Sequence, residues 1–474
     1  MRRQTIRILI AGMAALLLTP ALAIGAERTS AAADRSALAL TIYGNGLSLV
    51  KDRRPVELPL GISGLDVTGV SPKMLPDSVQ LGLGKDSRVL TQTLRPANLN
   101  PRRLLEAHLG QTLKLIRRHP QTGAETLVDA TLIAVNGGVI ARIGGRLISN
   151  PEGHWAFPSI PSHLRGEAVL AVAVETAAAG PRPMTMRYLT GGLTWRAAYT
   201  VNWDRAAGTL RLHAWAALHN ATGIDFDNAD VKVVAGQVRR VSAAPRGQLQ
   251  KAMMMGAQDA AESARAPIRE ALSGYHLYSL PQPVNLKRGE QVQAALLAPL
   301  SVAATRELVS DGHPAVFGRV RGGGGGRPAH PEIRLNFTNQ MDDRGQPLPA
   351  GAVRLYGKDS AGGAQFLGED RLGDTPVGGA VTLSAGNAFD VTVKRRQTDF
   401  RRLDRHNHEA AFSVELHNGS TTSETVKVVE TVPGDWRLME SDKPHTRENN
   451  QAVWRITVPA KQSVAFSYRV HVRN

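Results

Sequence analysis

Apolar and polar residues alternate along most of this chain, and the C-terminal end shows the pattern most cleanly. Val464, Phe466, Tyr468, Val470 and Val472 fall in one phase, while Ala465, Ser467, Arg469 and His471 fall in the other. A period of two places successive side chains on opposite faces, so this segment reads as a strand with one face buried. Phe412, Val414 and Leu416 alternate in the same way, and Asn418-Gly419 supplies the positive φ that a hairpin needs. A further strand, 424–432, stops at Pro433-Gly434. With 452–458 included, the closing region has the strand spacing of an immunoglobulin-like β-sandwich.

The same style runs through the earlier chain. Short strands are expected at 38–50, 56–60 and 79–83, among Gly, Pro and Asp turns. From 111 to 157 the turns at Gln121-Thr122-Gly123, Asn136-Gly137-Gly138 and Gly144-Gly145 come close together, the spacing of a small barrel-like module. Strands at 187–203, 209–218 and 230–241 then supply a central sheet, with Trp195, Trp203 and Trp215 as its large core or rim residues. Alternation stops between Ser242 and Ser273, where Ala, Met, Gln, Arg and Glu replace the β-branched residues and Pro245, Gly247, Gly256 and Pro267 break the backbone. That stretch reads as a mobile insertion. Gly322 to Gly326 has no side chains to pack and reads as a linker.

The fold expected is therefore all-β, with several β-domains in series. Their bounds are 38–103 for an N-terminal β region, 104–165 for the small barrel-like module, and 166–310 for a central β-sandwich carrying the insertion 242–273. A Gly-rich linker at 311–331 and a C-terminal immunoglobulin-like β-sandwich region at 332–474 complete the chain.

Charge and compartment alter this picture only at its edges. Arg2, Arg3 and Arg7 precede an apolar run, Ile8 to Leu18, and Ala21-Leu22-Ala23 follows as a small-residue cleavage site. The run is about 11 residues long, short of the roughly 20 that a spanning helix needs. Residues 1–23 thus read as a signal peptide, with a periplasmic or secreted mature chain and no transmembrane segment left after its removal. Cysteine is absent, so no disulfide supports the fold. The formal charge is +16, of which the signal contributes three, and aromatics make up 5%. The interleaved aromatic and basic residues of a nucleic-acid groove are missing, so nucleic acid is not an expected partner; an anionic envelope polymer or an envelope protein is.

Four features invite a chemical reading. The five-glycine run lacks the Lys and Ser or Thr of a phosphate loop, and Pro-Ala-His-Pro follows it instead. His406-Asn407-His408 is the best metal candidate, because His-x-His on a strand puts both imidazoles on one face; tetrahedral zinc would still need partners from elsewhere. Asp225 to Asp230 alternates acids like a calcium loop but lacks its central Gly and closing Glu, and a side-chain-bonded turn explains it equally. Glu369, Asp370 and Asp374 offer carboxylates for glycoside hydrolysis, which requires two of them with a defined gap. No Gly-x-Ser-x-Gly elbow, His-Glu-x-x-His helix or Cys-based metal framework occurs. No cofactor is implied.

The segment Tyr188-Leu189-Thr190-Gly191-Gly192-Leu193-Thr194-Trp195-Arg196-Ala197-Ala198-Tyr199 resembles the signature of a bacterial group, domain of unknown function 4139. Further matches follow in order: 218–236, Tyr278-Ser279-Leu280-Pro281, 348–356, 366–370 and 397–400, with 41–50 similar to the usual entry. The resemblance spans most of the mature chain. It implies no activity and no catalytic residues. The expectation is an exported cell-envelope binding or structural protein that is not an enzyme; the alternative is a carbohydrate-active or other hydrolytic enzyme using Asp and Glu.

Overall fold

A computed structural model describes residues 25–236, 269–272, 275–312, 317, 326–339, 346–359 and 361–473. The expected signal peptide and most of the expected insertion and linker lie outside these residues. The described chain is all-β in several sheets, as the alternation requires, and its α-helix is the short Pro101–Ala107. The chain divides into two compact units: 1–38 with 51–189, and 39–50 with 190–474.

In the first unit, Gly25–Ser30, Gly61–Val67, Val169–Thr176 and Ser87–Arg95 pair in that order as one sheet. Five strands between Thr112 and Ala156 form another, with Arg146–Ser149 at one edge and His154–Ala156 at the other. No pairing among the described residues joins those two edges, so the barrel-like module is an open sheet. Its apolar residues bury on one side, with Leu115, Ala130 and Ala141 at the centre.

A buried ion network also sits in this unit. Arg54, 1% exposed, donates to both oxygens of Asp52 at 3.0 and 2.7 Å, and Arg35 donates to the same carboxylate at 3.0 Å. The remaining guanidinium nitrogen of Arg54 donates to the carbonyls of Ser30 and Thr68, both at 2.9 Å. Every charge here has a hydrogen-bonded partner, the condition under which a buried pair survives desolvation. Burial pushes the nearby Tyr188 hydroxyl well above its ordinary titration range, so it stays protonated.

In the second unit the strands do not follow one another in series. The hairpin of Leu193–Asp204 and Thr209–Asn220 is joined by Gly351–Lys358, which pairs in parallel with Leu193–Asp204, and then by Ala364–Leu372. Those last two strands belong to this central sheet, although they fall inside the expected C-terminal domain. Conversely Thr305–Gly312, expected in the central domain, belongs to the C-terminal sheet, ordered Ala380–Asn387, Glu332–Thr338, Thr305–Gly312, Glu424–Glu430, Gln451–Val458, Thr446–Glu448. The chain passes from one sheet to the other and back, so these two sheets draw their strands from interleaved parts of the sequence.

Two expected loops are also shortened. Arg269–Leu272, inside the expected insertion, is a strand paired with Tyr275–Ser279. The end of the expected linker is held to Val391–Arg402, through Gly326 N–H to the Arg395 carbonyl and a bridge between Ala329 and Val393.

The C-terminal region is a β-sandwich. The six-stranded sheet faces a second one ordered Val391–Arg402, Asn407–Asn418, Ser463–Arg473, Asp435–Ser441, and Trp454, Phe412, Phe466 and Tyr468 fill the space between. Their rings lie 4.8 to 6.3 Å apart. Such contacts add to the area term that dominates core stability. Glu430 is fully buried at the edge of this core, paired at 2.6 Å with Arg395, which also donates to both oxygens of Ser310. Gly312 leaves room for it: a Cβ there would collide with the Glu430 carboxylate.

Candidate functional site

The parallel pairing in the central sheet begins late. Leu193–Asp204 pairs along its whole length with Thr209–Asn220, but Gly351 reaches it only at Ala197. Residues 193–196 therefore have a strand neighbour on one side alone among the described residues. Successive residues of a strand direct their N–H and C=O groups to alternate sides, so Leu193 and Trp195 face an open backbone edge about four residues long.

Three features hold the edge open. Asp374 accepts the Ala350 N–H at 2.8 Å, fixing the approach of the incoming strand. The next residue is Gly351 because a Cβ there would strike the Ala197 carbonyl oxygen. Tyr199 and Tyr278 donate their hydroxyls to the carbonyls of Pro349 at 2.6 Å and Pro347 at 3.1 Å. These bonds anchor the Pro-Leu-Pro turn against the sheet instead of letting it lie along 193–196. Burial, with Tyr278 and Asp374 nearby, raises the Tyr199 hydroxyl far above its usual range, so it remains a donor.

Beside the edge lies a cleft of about 490 Å³ lined by Gly44, Asn45, Trp195 to Ala197, Val234 to Gly236, Pro349, Ala350 and Asp374. A second hollow of about 240 Å³ shares Ala235, Gly236, Pro349 and Asp374 with it and extends over Tyr278, Leu348 and Thr375. Trp195 is buried as one wall, its indole N–H donating to the Val234 carbonyl at 3.1 Å. Arg196, next along the strand, points the other way and is exposed. Among the described residues the cleft thus offers an open strand edge, apolar walls, the Asp374 carboxylate and, at its rim, the exposed Arg196 cation.

The sequence-predicted residues are scattered. Asp374 lines the cleft, but Glu369 and Asp370 do not. As neighbours on one strand these two face opposite sides; Glu369 lies 3.4 Å from Arg354, and Asp370 accepts from the Ser384 N–H at 2.6 Å. The three carboxylates do not form a facing pair. Asp225 and Asp227 are tied to Lys287 and Arg288, and the Arg288 N–H holds the Asp225 carboxyl below its ordinary range. Asn228 follows them with φ 48° at a bulge in the strand Phe226–Ala235 and donates its N–H to the Asn285 side chain, so the acidic run is the charge-compensated, bulged start of a strand.

His406 and His408 part company. The strand begins at Asn407, leaving His406 exposed in the preceding turn while His408 is buried against Phe400, 5.3 Å between rings. The shared face expected of a strand pair does not form. Among the described residues no group of three His, Asp or Glu side chains converges as a metal set. Trp195 and Trp203 are buried and Trp215 is half-buried, in keeping with core and rim positions. No described helix is long and apolar enough to cross a membrane.

No curated protein matches the chain. Residues 184–474, more than half of it, match the family described as Domain of unknown function (DUF4139). Apart from Asp374, the residues that line the cleft come from segments on which the sequence resemblance rests: 41–50, 188–199, 218–236 and 348–356. Sequence reasoning placed those segments in order but had no signal for their meeting, since pairing between distant strands leaves no local trace. The chain belongs to the DUF4139 family.

Proposed function

We propose that this is an exported, non-catalytic binding protein of the cell envelope, and that its central cleft takes an extended segment of another envelope protein. The observation that carries the reading is the unpaired edge at 193–196, set beside an apolar-walled cleft. An extended peptide laid along such an edge gains main-chain hydrogen bonds, and pockets for alternate side chains then choose among sequences. Arg196 and Asp374 give the cleft a charge of each sign with which to set orientation. The lone Asp374 carboxylate, already accepting a backbone N–H, supports binding over acid–base chemistry, and Glu369 and Asp370 lie away from it. Export rests on the leader-like residues 1–23.

The test is capture from a detergent-treated envelope fraction by the mature chain, side by side with Arg196→Asp. Components retained by the wild type and lost by the variant, at equal melting temperature, support the reading. Equal retention by both, or chemical turnover of what is retained, counts against it. Intact mass of the periplasmic protein examines export separately, with a chain starting at Ile24 as the expected result.

A further inference from the structure

We propose that one corner of the C-terminal sandwich is a second site, which binds an anionic glycan through a uronic-acid type carboxylate and the adjoining hydroxyls. The corner is a hollow of about 830 Å³ where three neighbouring strands end. Strand register brings its residues together from distant parts of the chain: Asn407 stands opposite Arg473, which stands opposite Asp435, and two residues inward Arg437 stands opposite His471. The turn before Asn407 adds Arg405 and His406.

Three cations line this hollow with no ion-pair partner among the described residues. Arg405, Arg437 and Arg473 are exposed, and none makes an ion pair within 4 Å among the described residues. Elsewhere on the same sheet Arg469 and Arg401 are compensated by Asp399. A free guanidinium presents paired N–H donors that match a carboxylate bidentately, and several around one concavity specify an oxyanion.

The two acids of the hollow refine the ligand. Asp404 is spent on the turn: it accepts the N–H groups of His406 and Asn407, each at 2.7 Å, and the Asn407 side-chain amide. Asp435 is exposed and stands across the strand pair from Arg473. A site for a bare polyanion gains nothing from a carboxylate among its arginines, because the repulsion opposes the ligand. A ligand that carries hydroxyls beside its anion uses it, since an ionised carboxylate accepts hydrogen bonds and makes none as donor. The wall is rigid: Trp436 is 5% exposed, donates its indole N–H to the Asn450 carbonyl at 3.0 Å, and has the Arg447 guanidinium 4.4 Å above its ring. This site shares no residue with the central cleft, so either can fail alone.

The experiment is calorimetric titration of the mature chain with oligogalacturonate, using dextran and inorganic phosphate as controls. Saturable binding of the uronate, none of dextran and weaker binding of phosphate are expected. Arg437→Ala/Arg473→Ala should weaken uronate binding at least tenfold with the melting temperature unchanged. Asp435→Asn is the discriminating variant: it should weaken uronate binding several-fold and leave phosphate unchanged or tighter. No uronate binding, an unaffected double variant, or phosphate binding as tightly as the uronate would each overturn the proposal. So would tighter uronate binding by Asp435→Asn, the result for simple charge attraction.

Discussion

The central sheet and the C-terminal sandwich are made of the same alternating strands, yet they meet their surroundings differently. In the sandwich, two sheets close over a continuous aromatic core built on Trp454, Phe412, Phe466 and Tyr468. What it has left to offer a ligand is side chains at its rim. In the central sheet one strand, Leu193–Asp204, outruns its parallel neighbour by four residues and leaves backbone in reach of a partner. A complete core supports side-chain recognition, and an incomplete pairing supports main-chain recognition.

The largest effect that sharpens this contrast belongs to the sandwich core. Trp454→Ala removes the largest fully buried side chain and should cost about 3–5 kcal/mol, read by chemical denaturation. The central cleft should respond differently. Gly351→Ala sets a Cβ against the Ala197 carbonyl and should cost about 1–3 kcal/mol as the parallel pairing is forced apart. Its sharper signature is faster amide exchange in 351–357 and weaker capture at the cleft. A Gly351→Ala chain that is as stable as the wild type and binds equally would break the account of how the edge is held.

Two carboxylates of the sandwich separate its buried edge from its exposed surface by pH. Burial raises Glu430 above the ordinary carboxylate value, against the favourable pull of Arg395. The folded state then holds a proton that the unfolded state has lost, so this group's contribution to stability falls as pH rises from the usual carboxylate value to the raised one. Arg455, Lys427 and Thr446 lower Glu448 to about 2. Its contribution is present above the unfolded value and is lost as pH falls from there towards 2. In a denaturation series across acid to neutral pH, Glu430→Gln and Glu448→Gln should change the slope in opposite senses. Slopes changed in the same sense would show that one environment has been misread.

The smallest stability effect is expected at Arg196. Arg196→Asp lies on an exposed face and should stay within about 0.5 kcal/mol of the wild type. Its consequence should be confined to what the cleft retains.

Much of the strand inventory was legible in the sequence. Phe466, Tyr468, Val470 and Val472 are buried on one face as their alternation requires, and the Asn418-Gly419 and Pro433-Gly434 turns close their strands. Alternation tells which face of a strand is buried but not which strand lies beside it. That is why 351–372 was expected in the C-terminal sandwich and Thr305–Gly312 in the central one. The same gap hid both candidate sites. Leu193 and Trp195 gain their open edge only because Gly351 arrives late, and Arg405, Arg437 and Arg473 meet only through register. His406 and His408 share no face for a local reason: Asp404 caps the turn and the strand starts one residue after His406.

The open edge at 193–196 is the central claim, and peptide selection combined with hydrogen exchange tests it most directly. Peptides from a random displayed library would be selected on the mature chain, and amide exchange measured with and without the selected peptide. The account predicts that the amides of residues 193–196 which face away from Thr209–Asn220 become protected on binding, and that Arg196→Asp weakens the peptide. Selected peptides that leave those amides unprotected, or that protect the sandwich rim instead, would contradict it.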